Sequence, residues 1–92
     1  MTDVVVTMKL MGESPEADMK AIEKETIIRI KNFTGFDNYK AEIQEVAFGL
    51  RALQIMFVMD EAKGNLDPLE EDLSTIPEVN SVETTDVRRA VG

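Results

Sequence analysis

The sequence contains no cysteine, no histidine and no tryptophan, a single tyrosine, and only ten basic residues against eighteen acidic ones. Each shortage excludes something. Without cysteine there is no disulfide framework and no thiolate zinc site. Without histidine the usual general base near neutral pH is missing, and nucleophile–histidine–acid triads are excluded. A net charge of −8 with no Lys/Arg cluster argues against a nucleic-acid reader, whose footprint is a basic patch. An acidic chain fits a basic protein surface, or is simply kept soluble by its charge. The five glycines, Gly12, Gly35, Gly49, Gly64 and Gly92, are dispersed, so no glycine-rich phosphate loop is present. The longest apolar run, Val46 to Val58, has thirteen residues and includes Arg51 and Gln54. It is too short and too polar to span a bilayer. The first residues, Met1 to Val4, lack a basic segment followed by an apolar one. That reads as no signal peptide and points to a cytosolic protein, complete in itself or one domain of a larger chain.

With 43% hydrophobic and 30% charged residues, the 92 positions read as one globular domain spanning 1–92. Asp3 to Met11 alternates, with Val4, Val6, Met8 and Leu10 on one face and Val5, Thr7, Lys9 and Met11 on the other, as in a strand covered on one side. Gly12-Glu13-Ser14-Pro15 ends it, and Ser14 and Pro15 are the cap and first residue expected of a helix. Glu16 and Asp18 then fall in the first turn, where the dipole favours negative charge. Met19, Ile22, Thr26 and Ile30 make one stripe, widened by Ile27 and Ile28, and the helix is expected to stop near Lys31-Asn32. Asp37 to Glu45 alternates again. Phe48-Gly49 then forms a hairpin tip, followed by a strand over Leu50–Met59 with Leu53, Ile55, Phe57 and Met59 on its bulkier face and Ala52, Gln54, Met56 and Val58 on its lighter one. Asp60 to Asn65 reads as a polar loop. Asp67-Pro68-Leu69-Glu70 carries a cap, a first-position proline and a glutamate three residues on. Leu69, Leu73 and Ile76 form the stripe of that second helix, and Pro77 ends it. Val79 to Arg89 reads as the last strand; Val82 points inward and Val87 has the opposite parity, which a bulge would reconcile.

The order β-α-β-β-α-β, with helices of roughly fifteen and ten residues and right-handed crossovers, predicts a ferredoxin-like α+β sandwich: a four-stranded antiparallel sheet with two helices on one face. That fold hosts many unrelated activities.

Catalysis has little to stand on. Glu70, Glu71 and Asp72 are accounted for at a helix start, and Asp60, Glu61 and Asp67 lack the spacing of a calcium loop, so they read as solvated loop charge. The six methionines read mostly as core fillers. The open sheet face, with Thr7, Lys9, Gln54 and Met56, is a poor platform for stacking bases. No catalytic residue, cofactor or metal is therefore assigned. Recognition of a protein remains, with two carriers. One is the Phe48-Gly49 tip, whose aromatic is either a lid on the core or an anchor offered to a partner. The other is the C-terminal stretch from Thr85 to Gly92, where Arg88 and Arg89 are two of the four arginines.

The residues Asp3 to Met11, Glu13-Ser14-Pro15, Val46-Ala47-Phe48-Gly49-Leu50-Arg51-Ala52-Leu53 and Thr85-Asp86-Val87-Arg88-Arg89, in that order and spacing, resemble the archaeal elongation factor 1-beta family nearly end to end. The resemblance implies a guanine-nucleotide exchange factor for elongation factor 1-alpha, the GTPase that delivers aminoacyl-tRNA, with no covalent chemistry of its own. The residues themselves already point to a cytoplasmic protein with no direct nucleic-acid or membrane partner, and a monomer is expected when free. The resemblance implies that Phe48 and Gly49 form the tip that docks on the second domain of the GTPase, favouring the anchor over the lid. It implies that Asp86 and Val87 begin a tail approaching the nucleotide domain. Eukaryotic relatives carry a lysine close to the C-terminus that reaches toward the Mg²⁺ and phosphate site. This chain has no lysine after Lys63, which leaves Arg88 and Arg89, earlier in the tail, to supply positive charge. Two other functions fit the fold. A small-molecule-binding regulatory domain would dimerise through sheet edges and respond thermally to its ligand. A small acyl-phosphate hydrolase would need a glycine anion loop and an arginine near the first strand, and the sequence offers neither.

Overall fold

The computed structural model describes residues 3–35, 38–63 and 65–89. Strand β1 is Asp3–Gly12, helix α1 Met19–Thr34, β2 Tyr39–Glu45, β3 Arg51–Asp60, α2 Asp67–Ser74 and β4 Val79–Arg89, with a 3₁₀ turn at Glu61–Lys63. The strands form one sheet in the order β2-β3-β1-β4, every neighbouring pair antiparallel. Both helices cover one face, and the arrangement is the ferredoxin-like one.

Alternation decides which strand residues meet the helices. Val4, Val6, Met8 and Leu10 of β1 and Leu53, Ile55, Phe57 and Met59 of β3 are buried, against Met19, Ile22 and Ile30 of α1 and Leu69, Leu73 and Ile76 beyond. Thr26 completes the α1 stripe. Its hydroxyl donates to the Ile22 carbonyl at 2.7 Å, so this fully buried polar side chain is satisfied. Two details depart from expectation. Ile28 does not widen the buried stripe; it stands 45% exposed, while Ile27 packs at the core's edge. Ala52, on the lighter face of β3, is fully buried. Register places its short side chain between Met11 and Gln44 of the adjacent strands. Among the described residues no helix is long and apolar enough to cross a membrane.

The helix starts are corrected by competition for caps. α1 begins four residues after Pro15. The Ser14 carbonyl accepts from Ala17 N–H in a turn, so Ser14 does not cap the helix. Asp18 does: its carboxylate accepts from Ala21 N–H at 3.1 Å and its carbonyl from Ile22 N–H. The helix runs on to Thr34 because Gly35, at φ 76°, closes it in the left-handed conformation with its N–H on the Lys31 carbonyl. In α2, Asp67 is already helical and its cap position, Leu66, has no side-chain bond. Asn65 supplies the local acceptor instead, taking Asp67 N–H at 3.0 Å. Glu70 serves no capping box; it accepts from the Thr84 hydroxyl at 2.6 Å and ties α2 to β4. α2 closes at Ser74, shorter than expected, with Ile76 buried just beyond it. β2 starts at Tyr39, and the expected start at Asp37 lies outside the described residues. β3 is displaced by one residue, to Arg51–Asp60.

The parity conflict in β4 is resolved by a bulge. Thr7 pairs with Asp86 but Met8 pairs with Thr84, so Thr85 is the extra residue. Its hydroxyl donates to the Thr7 carbonyl at 3.2 Å. The slip restores Val87 to the face of Val6 and Val82 to the face of Leu10, as a one-residue insertion must. A second shift falls between Met11 and Gly12.

Candidate functional site

The hairpin tip follows from its own bonds. Leu50 N–H donates to the Ala47 carbonyl at 3.1 Å, and Val46 N–H to the Leu50 carbonyl at 2.8 Å. Phe48 and Gly49 occupy the two central positions of that turn with φ 59° and 77°, the signs of a type I′ turn, which matches strand twist and favours Asn-Gly or Gly-Gly. An aromatic residue at positive φ is a strained choice, costing on the order of 1 kcal/mol or more. Phe48 is also 95% exposed. The lid reading is therefore corrected: the side chain covers nothing. Strain and exposure coincide on one large apolar side chain at the extreme end of a hairpin, and neither contributes to folding.

The tip rests on its neighbours. A Cβ placed on Gly49 would stand 3.7 Å from the Cβ of Pro15, and Arg51 Nη2 donates to the Ala17 carbonyl at 3.2 Å. The β1–α1 connection thus packs against the hairpin base. Composition and spacing carry no signal for this contact, because Pro15 and Gly49 lie in connections whose paths are set by the packed elements.

The strand end is built differently. Register pairs Asp86 with Thr7 and Arg88 with Val5 on the open face, and Val87 with Val6 and Arg89 with Val4 on the helix-covered side. The two arginines therefore leave β4 on opposite faces. Each already has a carboxylate: Arg88 Nε lies 2.7 Å from Asp86 Oδ2, and Arg89 Nη2 lies 2.6 Å from Glu61 Oε1. All four side chains are substantially exposed, so these pairs are weak and exchangeable. Val87 is 52% exposed despite facing the helix side. On the open face a shallow groove runs along β4, floored by Val5, Thr7, Gln54 and Met56 and rimmed by Thr85, Asp86 and Arg88, with Arg89 at the strand end also reaching its edge. Among the described residues no group of acidic side chains converges in a way that could hold a metal ion; Glu61 faces Arg89 instead.

The structure does not bring the two carriers together. The tip lies where Glu45 pairs with Arg51, and the strand end lies where Val4 pairs with Met59 and Arg89. The length of β3 separates them by roughly 25–30 Å, a large part of a molecule measuring 42 × 21 × 19 Å. Any one partner touching both must be large.

These observations define the class: a ferredoxin-like α+β domain with an exposed aromatic side chain at the hairpin end and two exposed, ion-paired arginines at the other. Residues 5–90 match the family described as the EF-1 guanine nucleotide exchange domain, and the chain belongs to that family. It is 45% identical over 89 residues to elongation factor 1-beta of Methanothermobacter thermautotrophicus, covering 97% of this chain and 98% of that one. It is 44% identical over 90 residues to elongation factor 1-beta of Methanosphaera stadtmanae, with the same coverage. The corresponding protein of Methanobrevibacter smithii is 36% identical over 89 residues.

Proposed function

We propose that this protein promotes GDP release and GTP reloading on elongation factor 1-alpha, gripping the GTPase with Phe48-Gly49 at one end and with Asp86, Val87, Arg88 and Arg89 at the other. Membership of the family carries the first part, a nucleotide-exchange role in translation elongation. The second part rests on one observation above the rest: a strained, 95% exposed phenylalanine at a hairpin tip has a physical rationale as an anchor that a partner buries.

Exchange needs no bond to be made or broken. It requires that the factor hold the nucleotide-free GTPase more tightly than the loaded one. A thousandfold preference corresponds to about 4 kcal/mol of coupling. The separation of the two ends suits that task, since a body that docks on one domain by its tip can press on another with its strand end. Arg88 and Arg89 can trade Asp86 and Glu61 for an anionic partner at little cost, because exposed pairs contribute about 0–1 kcal/mol. The site of action is the cytoplasm, and the free protein is a monomer.

The experiment is release of a fluorescent GDP from the same organism's elongation factor 1-alpha, in excess unlabelled nucleotide, with and without catalytic amounts of this protein. Acceleration by orders of magnitude is expected. No acceleration of an active GTPase would overturn the reading and favour a small-molecule-binding regulatory domain.

A further inference from the structure

Glu78 stands in the turn between α2 and β4 at φ 72°, and among the described residues only Phe48 shares that left-handed conformation without being glycine. A side chain is strained there, and Glu78 is held by what it binds. Its carbonyl accepts from Glu13 N–H at 2.9 Å. Its carboxylate Oε2 accepts from Asp18 N–H at 3.1 Å. The two bonds grasp both ends of the β1–α1 connection, which closes on itself through Ala17 N–H on the Ser14 carbonyl at 3.1 Å. The middle of that connection is what the hairpin rests on: Pro15 beside Gly49, and the Ala17 carbonyl on Arg51. There is no slack beneath it, because a Cβ on Gly12 would stand 3.1 Å from both Ala17 Cβ and Met19 Sδ.

The geometry points to Glu78 as a positioning residue for the Phe48 tip: by pinning Glu13 and Asp18 it holds Pro15 and Ala17 as a buttress that fixes where the tip points. The inference rests on the exchange reading of that tip. The two strained residues then form one device. Phe48 presents the anchor, and Glu78, thirty positions away in the chain, fixes its direction before the partner arrives. An anchor already ordered loses less conformational freedom on docking than one that must be ordered.

Glu78→Gly tests this, because glycine keeps the backbone conformation and the Glu13 bond and deletes only the carboxylate. In the free protein, amide hydrogen exchange should show the Leu50 and Val46 amides of the turn losing protection while the β1–β3 amides keep theirs. With elongation factor 1-alpha, the factor concentration giving half-maximal GDP release should rise about fivefold, with the plateau rate unchanged. Pro15→Ala should behave alike. Glu78→Gln should stay near wild type, since its amide oxygen can still accept from Asp18. In a Phe48→Ala background Glu78→Gly should add nothing further, which a role confined to stability would not produce. Unchanged protection at Leu50, or an undiminished effect in the Phe48→Ala background, would overturn the positioning role. Wild-type protein that fails to release GDP would instead overturn the exchange reading, while the amide measurement still decides whether Glu78 holds the turn.

Discussion

Phe48 occupies a turn position that asparagine or glycine would fill more comfortably, with φ 59° and 95% of its surface in water. Stability and function should therefore respond in opposite directions. Phe48→Asn creates the Asn-Gly pair that type I′ turns favour. It is expected to stabilise the fold by about 1 kcal/mol, raising the melting temperature by roughly 4–8 °C. The same change should cost on the order of 2 kcal/mol or more of affinity for elongation factor 1-alpha. Thermal melting and a titration of GDP release on one protein preparation check both. A variant that melted lower and exchanged normally would reverse the assignment of strain.

At the scale of elements, two features can be separated. Arg29 of α1 is a clamp. Its Nη1 donates to the Asp72 carbonyl at 2.6 Å and to the Thr75 hydroxyl at 2.7 Å, and approaches Asp72 Oδ1 at 3.2 Å. It thereby satisfies the C-terminal end of α2, where the dipole favours a cation. Arg29→Met should lower stability by about 1–2 kcal/mol in urea unfolding and leave GDP release at saturating factor unchanged. The end of β4 should do the opposite. Strand alternation sends Arg88 and Arg89 to different faces, so a single partner surface is expected to need one more than the other. Arg88→Ala and Arg89→Ala, made singly and together, should leave stability nearly unchanged, because both ion pairs are exposed. They should slow exchange unequally. A double variant with the wild-type exchange rate would remove both from the mechanism.

The whole molecule stands on one core. Leu53, fully buried in a central strand, should cost about 2–5 kcal/mol when changed to alanine. That is a large share of the ~5–15 kcal/mol of a typical domain, so Leu53→Ala should show a markedly lower urea midpoint. The sheet edges bear on association. β2 carries Lys40, Glu42 and Glu45, and β4 is interrupted by two register shifts, both devices that discourage edge-to-edge pairing. Sedimentation is expected to show a monomer at micromolar concentration. A stable dimer would favour the regulatory-domain alternative.

Local pattern determined much of this protein. Period-two alternation identified the buried faces of β1 and β3, and the α1 stripe from Met19 to Ile30 was legible because burial acts on every turn of a helix alike. The order of elements led to the sheet, and the mismatch of Val82 and Val87 pointed to a bulge, which the pairing register places at Thr85. Caps were less legible. Ser14 and Asp18 are both competent, and Glu78, distant in sequence, binds the connection that makes Asp18 the cap. Only the tertiary structure decided that Phe48 is exposed and strained, that Pro15 and Glu78 support it, and that Arg88 and Arg89 already have carboxylates beside them. The physical reason is range. Hydrophobic periodicity is written along the chain, whereas a turn's direction and a side chain's partner depend on residues that only folding brings within a few ångströms.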